Sequence, residues 1–234
     1  MKIIGHRGVA GVALENTLES IRYAMQTNVD AIEFDVRLTA DKQFVLCHDS
    51  TTWRISDQVK TINAEPLAAI KRVKLRNGEH IPTLKQVLKV TADKPLYIEP
   101  KGESWAHELA KLLRQHDTSR LSVIAFDHKE LAKFHAKLPK VDTYALQKLH
   151  ATELFETIRY ASKAGFAGID MNFWLLNPLT YWLAKRNNLR IVVYTVNRNW
   201  IAGYLVWLFP NIDITSDVPH LLHAIQTRRK WLQK

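Results

Sequence analysis

The sequence predicts an α/β protein of the (βα)₈ TIM-like barrel class. Short apolar runs rich in β-branched and aromatic residues alternate with amphipathic helical stretches along the chain. Eight such pairs remain once one surplus strand is set aside. Ionisable residues recur at the strand ends, where a barrel of this kind gathers its reactive groups. The 234 residues suit one such domain, and 47% hydrophobic with 24% charged residues is ordinary for a protein with a large core. We expect a single domain over 1–234, because no Gly/Ser- or Pro-rich linker divides it.

In chain order the strand candidates are "KIIGH", "AIEFDV", "FVLCHD", "LYIEP", "LSVIAF", "DTYAL", "GIDMN", "RIVVYTV" and "DITS". The helical stretches are "ENTLESIRYAMQT", "TLKQVLKVTA", "WAHELAKLLRQH", "HKELAKFHAKL", "ATELFETIRYASKA", "NPLTYWLAKRNN", "WIAGYLVWLF" and "VPHLLHAIQ". Asp127 before "HKEL" and Pro178 or Pro219 in an opening turn are start signals. Only "RLTADKQ" separates "AIEFDV" from "FVLCHD", too short for the crossover that parallel neighbours need. These two therefore form an antiparallel hairpin, with a small insertion at 49–80 before the next helix.

A single cysteine, Cys47, excludes an intramolecular disulfide, and the chain enters its first strand by about residue 3. The apolar run "WIAGYLVWLF" is too short to span a bilayer. These features predict a cytoplasmic protein without a signal peptide. The net charge of +10 attracts anionic partners. No basic-aromatic motif, zinc-finger spacing or recognition helix supports nucleic acid among them.

The strand ends carry the chemistry. "KIIGH" ends in His6 and Arg7, followed by Gly8; "AIEFDV" carries Glu33 and Asp35; "LYIEP" ends in Glu99, followed by Lys101. Residues two apart share a face of a strand, so Glu33 and Asp35 point together, as do Glu99 and Lys101. For any one acid, a salt bridge with Arg7, Arg37 or Lys101 is the simpler account. Three carboxylates at one rim instead call for a cation, and an all-oxygen set suits hard divalent Mg²⁺ or Ca²⁺. If the hairpin turn centres near Ala40 and Asp41, His48 returns level with Glu33 and within reach of His6. Two such histidines offer a proton acceptor and a proton donor near neutral pH. Arg7 and Lys101 add positive charge for a phosphate.

"HRG" at 6–8, "ENT" at 15–17, "EFDV" at 33–36, "HD" at 48–49, "EPK" at 99–101 and "YTVN" at 194–197 resemble, in order, the glycerophosphodiester phosphodiesterase family. The likeness runs from residue 3 to about 222. It implies a barrel that hydrolyses glycerophosphodiesters, small-molecule substrates, to sn-glycerol 3-phosphate and an alcohol. By that resemblance Glu33, Asp35 and Glu99 hold a divalent metal (Mg²⁺ or Ca²⁺, with Mn²⁺ a further candidate). His6 and His48 form the acid/base pair, Arg7 and Lys101 bind phosphate, Asn16 shapes the site and Tyr194 lies against the glycerol. The chain departs from the family pattern at Leu14, Ala125, Tyr194 and "NIDITSD", none of them a metal or proton-transfer position.

The competing reading is a lysophospholipase D-like enzyme working on lysophospholipids at a membrane surface. It draws on the aromatics Trp200, Tyr204, Trp207 and Phe209 and the basic tail "RRKWLQK". The expectation preferred here is that these aromatics pack their helix against the barrel.

Overall fold

The apolar run Ile3–Gly5 enters the core at once as strand β1, buried along its length. The computed structural model describes residues 1–27, 29–91, 93–147, 151–223, 225, 227 and 228, with the side chains of 151 and 152 left aside. Beyond β1 the strands are β2 (Ala31–Leu38), β3 (Phe44–Leu46), β4 (Leu96–Lys101), β5 (Leu121–Ala125), β6 (Asp142–Gln147), β7 (Gly168–Asn172), β8 (Arg190–Tyr194) and β9 (Ile212–Ser216). The helices are α1 (Leu18–Gln26), α2 (Leu67–Ile70), α3 (Leu84–Val90), α4 (Ala106–Leu113), α5 (His128–Lys137), α6 (Ala151–Lys163), α7 (Pro178–Arg186) and α8 (Asn199–Leu208).

Eight strands pair in parallel around a closed ring, β9 pairing with β1 and β1 with β2; β3 alone is antiparallel, on β2. This is the expected TIM barrel. β1 occupies one edge of β2 only at Ala31 and Ile32, and β3 takes over that edge at Val36–Leu38. The hairpin thus sits at the rim where β1 stops, and it delivers His48 there.

The apolar periodicity divides two cores. Ile4, Ala31, Tyr97, Ile124, Tyr144, Leu146 and Val192 fill the barrel interior. The intervening residues, among them Ile3, Ile32, Phe34 and Ile98, pack under the helices. Helix starts are fixed by side chains: Thr17 accepts from Ser20 N, Thr83 forms a capping box with Gln86, and Asp127 accepts from Lys129 N and Glu130 N. Asn177 caps α7 ahead of Pro178.

Several expectations need adjusting. The hairpin centres on Asp41, pairing Val36 with Leu46 and Leu38 with Phe44, so His48 projects from beyond the end of β3 instead of standing level with Glu33. The turn closes by Thr39 N donating to the Gln43 carbonyl, with Lys42 at φ 59°. "ENT" is not helical, because Thr17 is the cap and Asn16 turns to φ 57°. The insertion at 49–80 has its own small core of Ile55, Ile62, Ile70, Val73 and Leu75, packed with Ile81 just after it and with Val45 and Cys47 of the hairpin. The stretch "VPHLLHAIQ" opens as a 3₁₀ turn at Pro219–Leu221; within it residues 224 and 226 lie outside the described residues, as do 229–234 of the basic tail. The expected packing of the aromatics in "WIAGYLVWLF" fails for three of four: Phe209, just after α8, is buried, whereas Trp200, Tyr204 and Trp207 on α8 face solvent.

Candidate active site

The acids meet because of ladder register. β2 and β4 pair Asp35 with Glu99 and Arg37 with Lys101, and paired residues of parallel neighbours share a face. Glu33 lies two residues before Asp35 on that same face. Each of Glu33, Asp35 and Glu99 is buried, and one carboxylate oxygen from each lies within 4.8 Å of the others.

The loop after β1 wraps this group. Arg7 and Gly8 both turn to positive φ, which aims the Arg7 N–H at Glu33 Oε2 (2.8 Å) and the Gly8 N–H at the Glu33 carbonyl (3.0 Å). Asn16 grips Asp35 reciprocally: its Nδ2 donates to Asp35 Oδ2 (2.9 Å), and its Oδ1 accepts from the Asp35 N–H (3.0 Å). Lys101 Nζ lies 3.1 Å from Asp35 and donates to Glu99, while Arg7 Nε lies 3.2 Å from Asp35. Both anticipated cations therefore pair with the trio. Arg37 does not; its guanidinium donates to the His48 carbonyl (2.7 and 2.9 Å) and anchors the histidine's backbone.

The charge balance is uneven. Burial and the neighbouring Asp35 push the Glu33 carboxyl above its usual range. Burial also raises Glu99, with the Asp35 and Glu33 charges adding to it against the pull of Lys101. Asp35 goes down despite burial, because Lys101, Arg7 and His48 surround it. Glu33 Oε1 is buried with no hydrogen-bond partner. Two carboxylates strained toward the neutral form and an orphaned oxygen are what a hard cation would relieve, so the residues fit a divalent metal.

The two histidines flank this group and line one cavity of about 160 Å³ with Arg7, Glu33, Glu99, Lys101, Asp170 and Tyr194. His6 Nδ1 lies 2.6 Å from Asp217 Oδ1, leaving Nε2 3.9 Å from Glu33. His48 Nδ1 lies 2.7 Å from Asp49. Burial lowers the His6 pKa, but Asp217 and Glu33 outweigh it and the net shift is upward. For His48 burial prevails, helped by Lys101 and Arg7, and the net shift is downward. Tyr194 walls the cavity with its hydroxyl donating to the Gln147 carbonyl (2.7 Å). All nine residues singled out from the sequence come together at this rim.

Others were not singled out. Asp217 orients His6 and is itself held by Asn197 Nδ2 (2.6 Å). Glu15, the acid of "ENT", binds Arg7 Nη1 (2.8 Å) and Arg54 Nη2 (2.8 Å), and Arg54 Nε donates to Asp49 (2.7 Å). Asp170 projects into the barrel interior fully buried. Positions in "ENT", "YTVN" and "HD" were the available signal for Glu15, Asn197 and Asp49; nothing marked Arg54.

Comparison with known proteins agrees with this geometry. Residues 6–226 match the Glycerophosphoryl diester phosphodiesterase family. A glycerophosphodiester phosphodiesterase from Caldanaerobacter subterraneus is 26% identical over 239 residues, spanning 96% of this chain and 97% of its own. The crystal structure of a glycerophosphodiester phosphodiesterase from Parabacteroides distasonis superposes with a TM-score of 0.83 at 25% identity, over 98% of each chain. An Oleispira antarctica phosphodiesterase, solved with its product sn-glycerol-3-phosphate, shares the fold at a TM-score of 0.85 and 24% identity over 97% of each chain. With the match covering nearly its whole length, this chain belongs to the glycerophosphoryl diester phosphodiesterase family.

Proposed function

We propose that the protein is a metal-dependent glycerophosphodiester phosphodiesterase, releasing sn-glycerol 3-phosphate and an alcohol. The observation that carries this reading is the buried trio of carboxylates with a histidine on either flank, Glu33, Glu99 and both histidines lining one cavity. Glu33, Asp35 and Glu99 would hold the divalent ion, which supplies Lewis acidity toward a phosphate oxygen. Arg7 and Lys101 bind the same phosphate, the first with a planar fork and the second as a point charge. His48, the more acidic imidazolium, takes the proton from the attacking oxygen. His6, whose protonated form Asp217 favours, gives one to the departing alcohol. Asn16 fixes the rotamer of Asp35, and Tyr194 lies against the glycerol. We read residues 1–234 as one cytoplasmic barrel domain with 49–80 inserted.

The test is a panel of glycerophosphodiesters and lysophospholipids assayed with Mg²⁺, Ca²⁺ or Mn²⁺, coupled to glycerol 3-phosphate detection. Release of glycerol 3-phosphate that EDTA abolishes supports the reading. Release undiminished in metal-free protein refutes the metal role, and no release from any diester refutes the activity. Phosphorus NMR during turnover separates attack by water from attack by the neighbouring glycerol hydroxyl, which alone passes through a cyclic phosphate.

A further inference from the structure

Helix α8, "NWIAGYLVWL", contains no charged residue. Its buried side is Ala202, Leu205 and Val206, as a barrel helix requires. The opposite side is unusual: Trp200 is 67% exposed, Tyr204 62%, Trp207 58% and Leu208 52%. Spacings of four, three and one residues put these four side chains on one helical face. A solvated helix normally carries charge there, and this one presents aromatic rings. α7 lies alongside, with Tyr181 in tilted ring contact with Phe209 (5.4 Å between ring centres) and donating to the Pro210 carbonyl (2.6 Å). It exposes Leu179 and Trp182 one turn apart.

The charge along this stretch is mostly positive. Among the described residues between 171 and 228 there are five Lys and Arg (Lys185, Arg186, Arg190, Arg198 and Arg228) against two acids. Both acids have partners in the barrel: Asp213 accepts from the Lys2 N–H, and Asp217 holds His6. Arg186 lies over the Trp182 ring (5.3 Å) and Arg228 over Trp207 (4.2 Å). Tryptophan and tyrosine, with an apolar body and a polar edge, interleaved with cations, are the composition that rests at a bilayer's headgroup level.

We propose that the outer face of α7 and α8 is a docking surface for an anionic lipid bilayer. Trp182, Trp200, Tyr204 and Trp207 enter the headgroup region while Lys185, Arg186 and Arg198 meet lipid phosphates. The contact is peripheral, since among the described residues no helix is long and apolar enough to cross a membrane. A protein partner of complementary acidic surface fits the cations less economically, because the aromatic stripe would need its own matching groove.

The experiment is co-sedimentation of the full chain with phosphatidylcholine vesicles, with and without about 30% phosphatidylglycerol. Wild type is expected to bind the anionic vesicles and to dissociate as salt is raised. The double variant Trp200→Ser/Tyr204→Ser, both sites exposed, is expected to bind at least about tenfold more weakly. Its hydrolysis of a soluble glycerophosphodiester stays at the wild-type rate, which also reports that it folds. No binding by wild type overturns the proposal, as does undiminished binding by the variant, which would reflect diffuse charge. A wild-type dimer that the double variant dissolves assigns the face to a second copy and overturns it equally. Vesicle binding is read without turnover, so its failure would leave the phosphodiesterase reading untouched.

Discussion

Asp217 Oδ1 lies 2.6 Å from His6 Nδ1, joining the loop after β9 to the loop after β1 across the point where the barrel closes. The hydrogen bond dedicates Nδ1 to the carboxylate and leaves Nε2 for chemistry. It also lifts the His6 pKa against the burial that would lower it. In Asp217→Asn that lift is lost. As the proposed general acid, His6 must be protonated, so activity should decline at a lower pH than in wild type. We expect kcat to fall by about 10–10² and the alkaline limb of its pH profile to move downward. A profile superposable on that of wild type would detach Asp217 from the proton transfer.

We expect the carboxylate trio to make stability depend on pH and metal together. Burial holds Glu33 at about 7 and Glu99 at about 8, against 4.5 for the free side chain. A raised folded-state pKa means that the native protein keeps protons the unfolded chain has released. The contribution of these two carboxyls to stability without metal is therefore fullest below pH 4.5, falls as pH rises toward about 8 and then levels, by on the order of a few kcal/mol. A divalent ion should reverse the loss, adding about 2.7 kcal/mol at a hundredfold excess over its Kd. Calorimetry should show a larger Mg²⁺- or Ca²⁺-induced rise in Tm at pH 8 than at pH 5, and none in Glu99→Gln. A rise independent of pH would place the ion elsewhere.

Much of this site was readable because its members sit on regular strands. The two-residue spacing puts Glu33 and Asp35 on one face whatever the loops do, and β2–β4 pairing brings Glu99 beside Asp35. His48 was placed one residue out, because a hairpin's centre depends on loop closure and the Thr39–Gln43 bond is invisible to spacing. Asp217 and Arg54 escaped notice for a related reason. Their partners lie 211 and 39 residues away, and only the closed barrel and the folded insertion create those contacts. The α8 aromatics misled because a helix apolar on all sides reads as buried. Burial extends only to the side with a neighbour.

Gly8 tests the tightness of the first turn. It sits at φ 85°, and a Cβ there would meet Ser20 Oγ at 2.3 Å and the Ser20 carbonyl carbon at 2.7 Å. Ser20 Oγ cannot retreat freely, since it accepts from the Val9 N–H (2.8 Å) and donates to the Arg7 carbonyl (3.0 Å). Gly8→Ala should cost about 1–3 kcal/mol from the backbone conformation alone, with displacement of Arg7 from the proposed phosphate site. Urea titration should show a lower midpoint, and KM should rise more than kcat falls. An unchanged midpoint would mean that the turn relaxes without cost.

Arg54 gives the insertion at 49–80 a stake in catalysis. Arg7, Glu15, Arg54, Asp49 and His48 form a continuous chain of ion pairs from the proposed phosphate-binding residue to the proposed base. Arg54 is its middle link, drawing Glu15 and Asp49 toward each other, and its side chain is only about one-third exposed. Arg54→Met would leave both acids with one partner fewer, and hydrogen bonds to charged groups contribute about 1.5–3 kcal/mol each, less where water competes. The expected result is a fall in kcat of about tenfold with KM changed less than about threefold, since His48 loses its orientation while Arg7 keeps Glu15. Arg54→Lys should recover only part of the loss, because an ammonium cannot engage both acids through a fixed fork. Wild-type kcat in Arg54→Met would show that Asp49 holds His48 without help from the insertion.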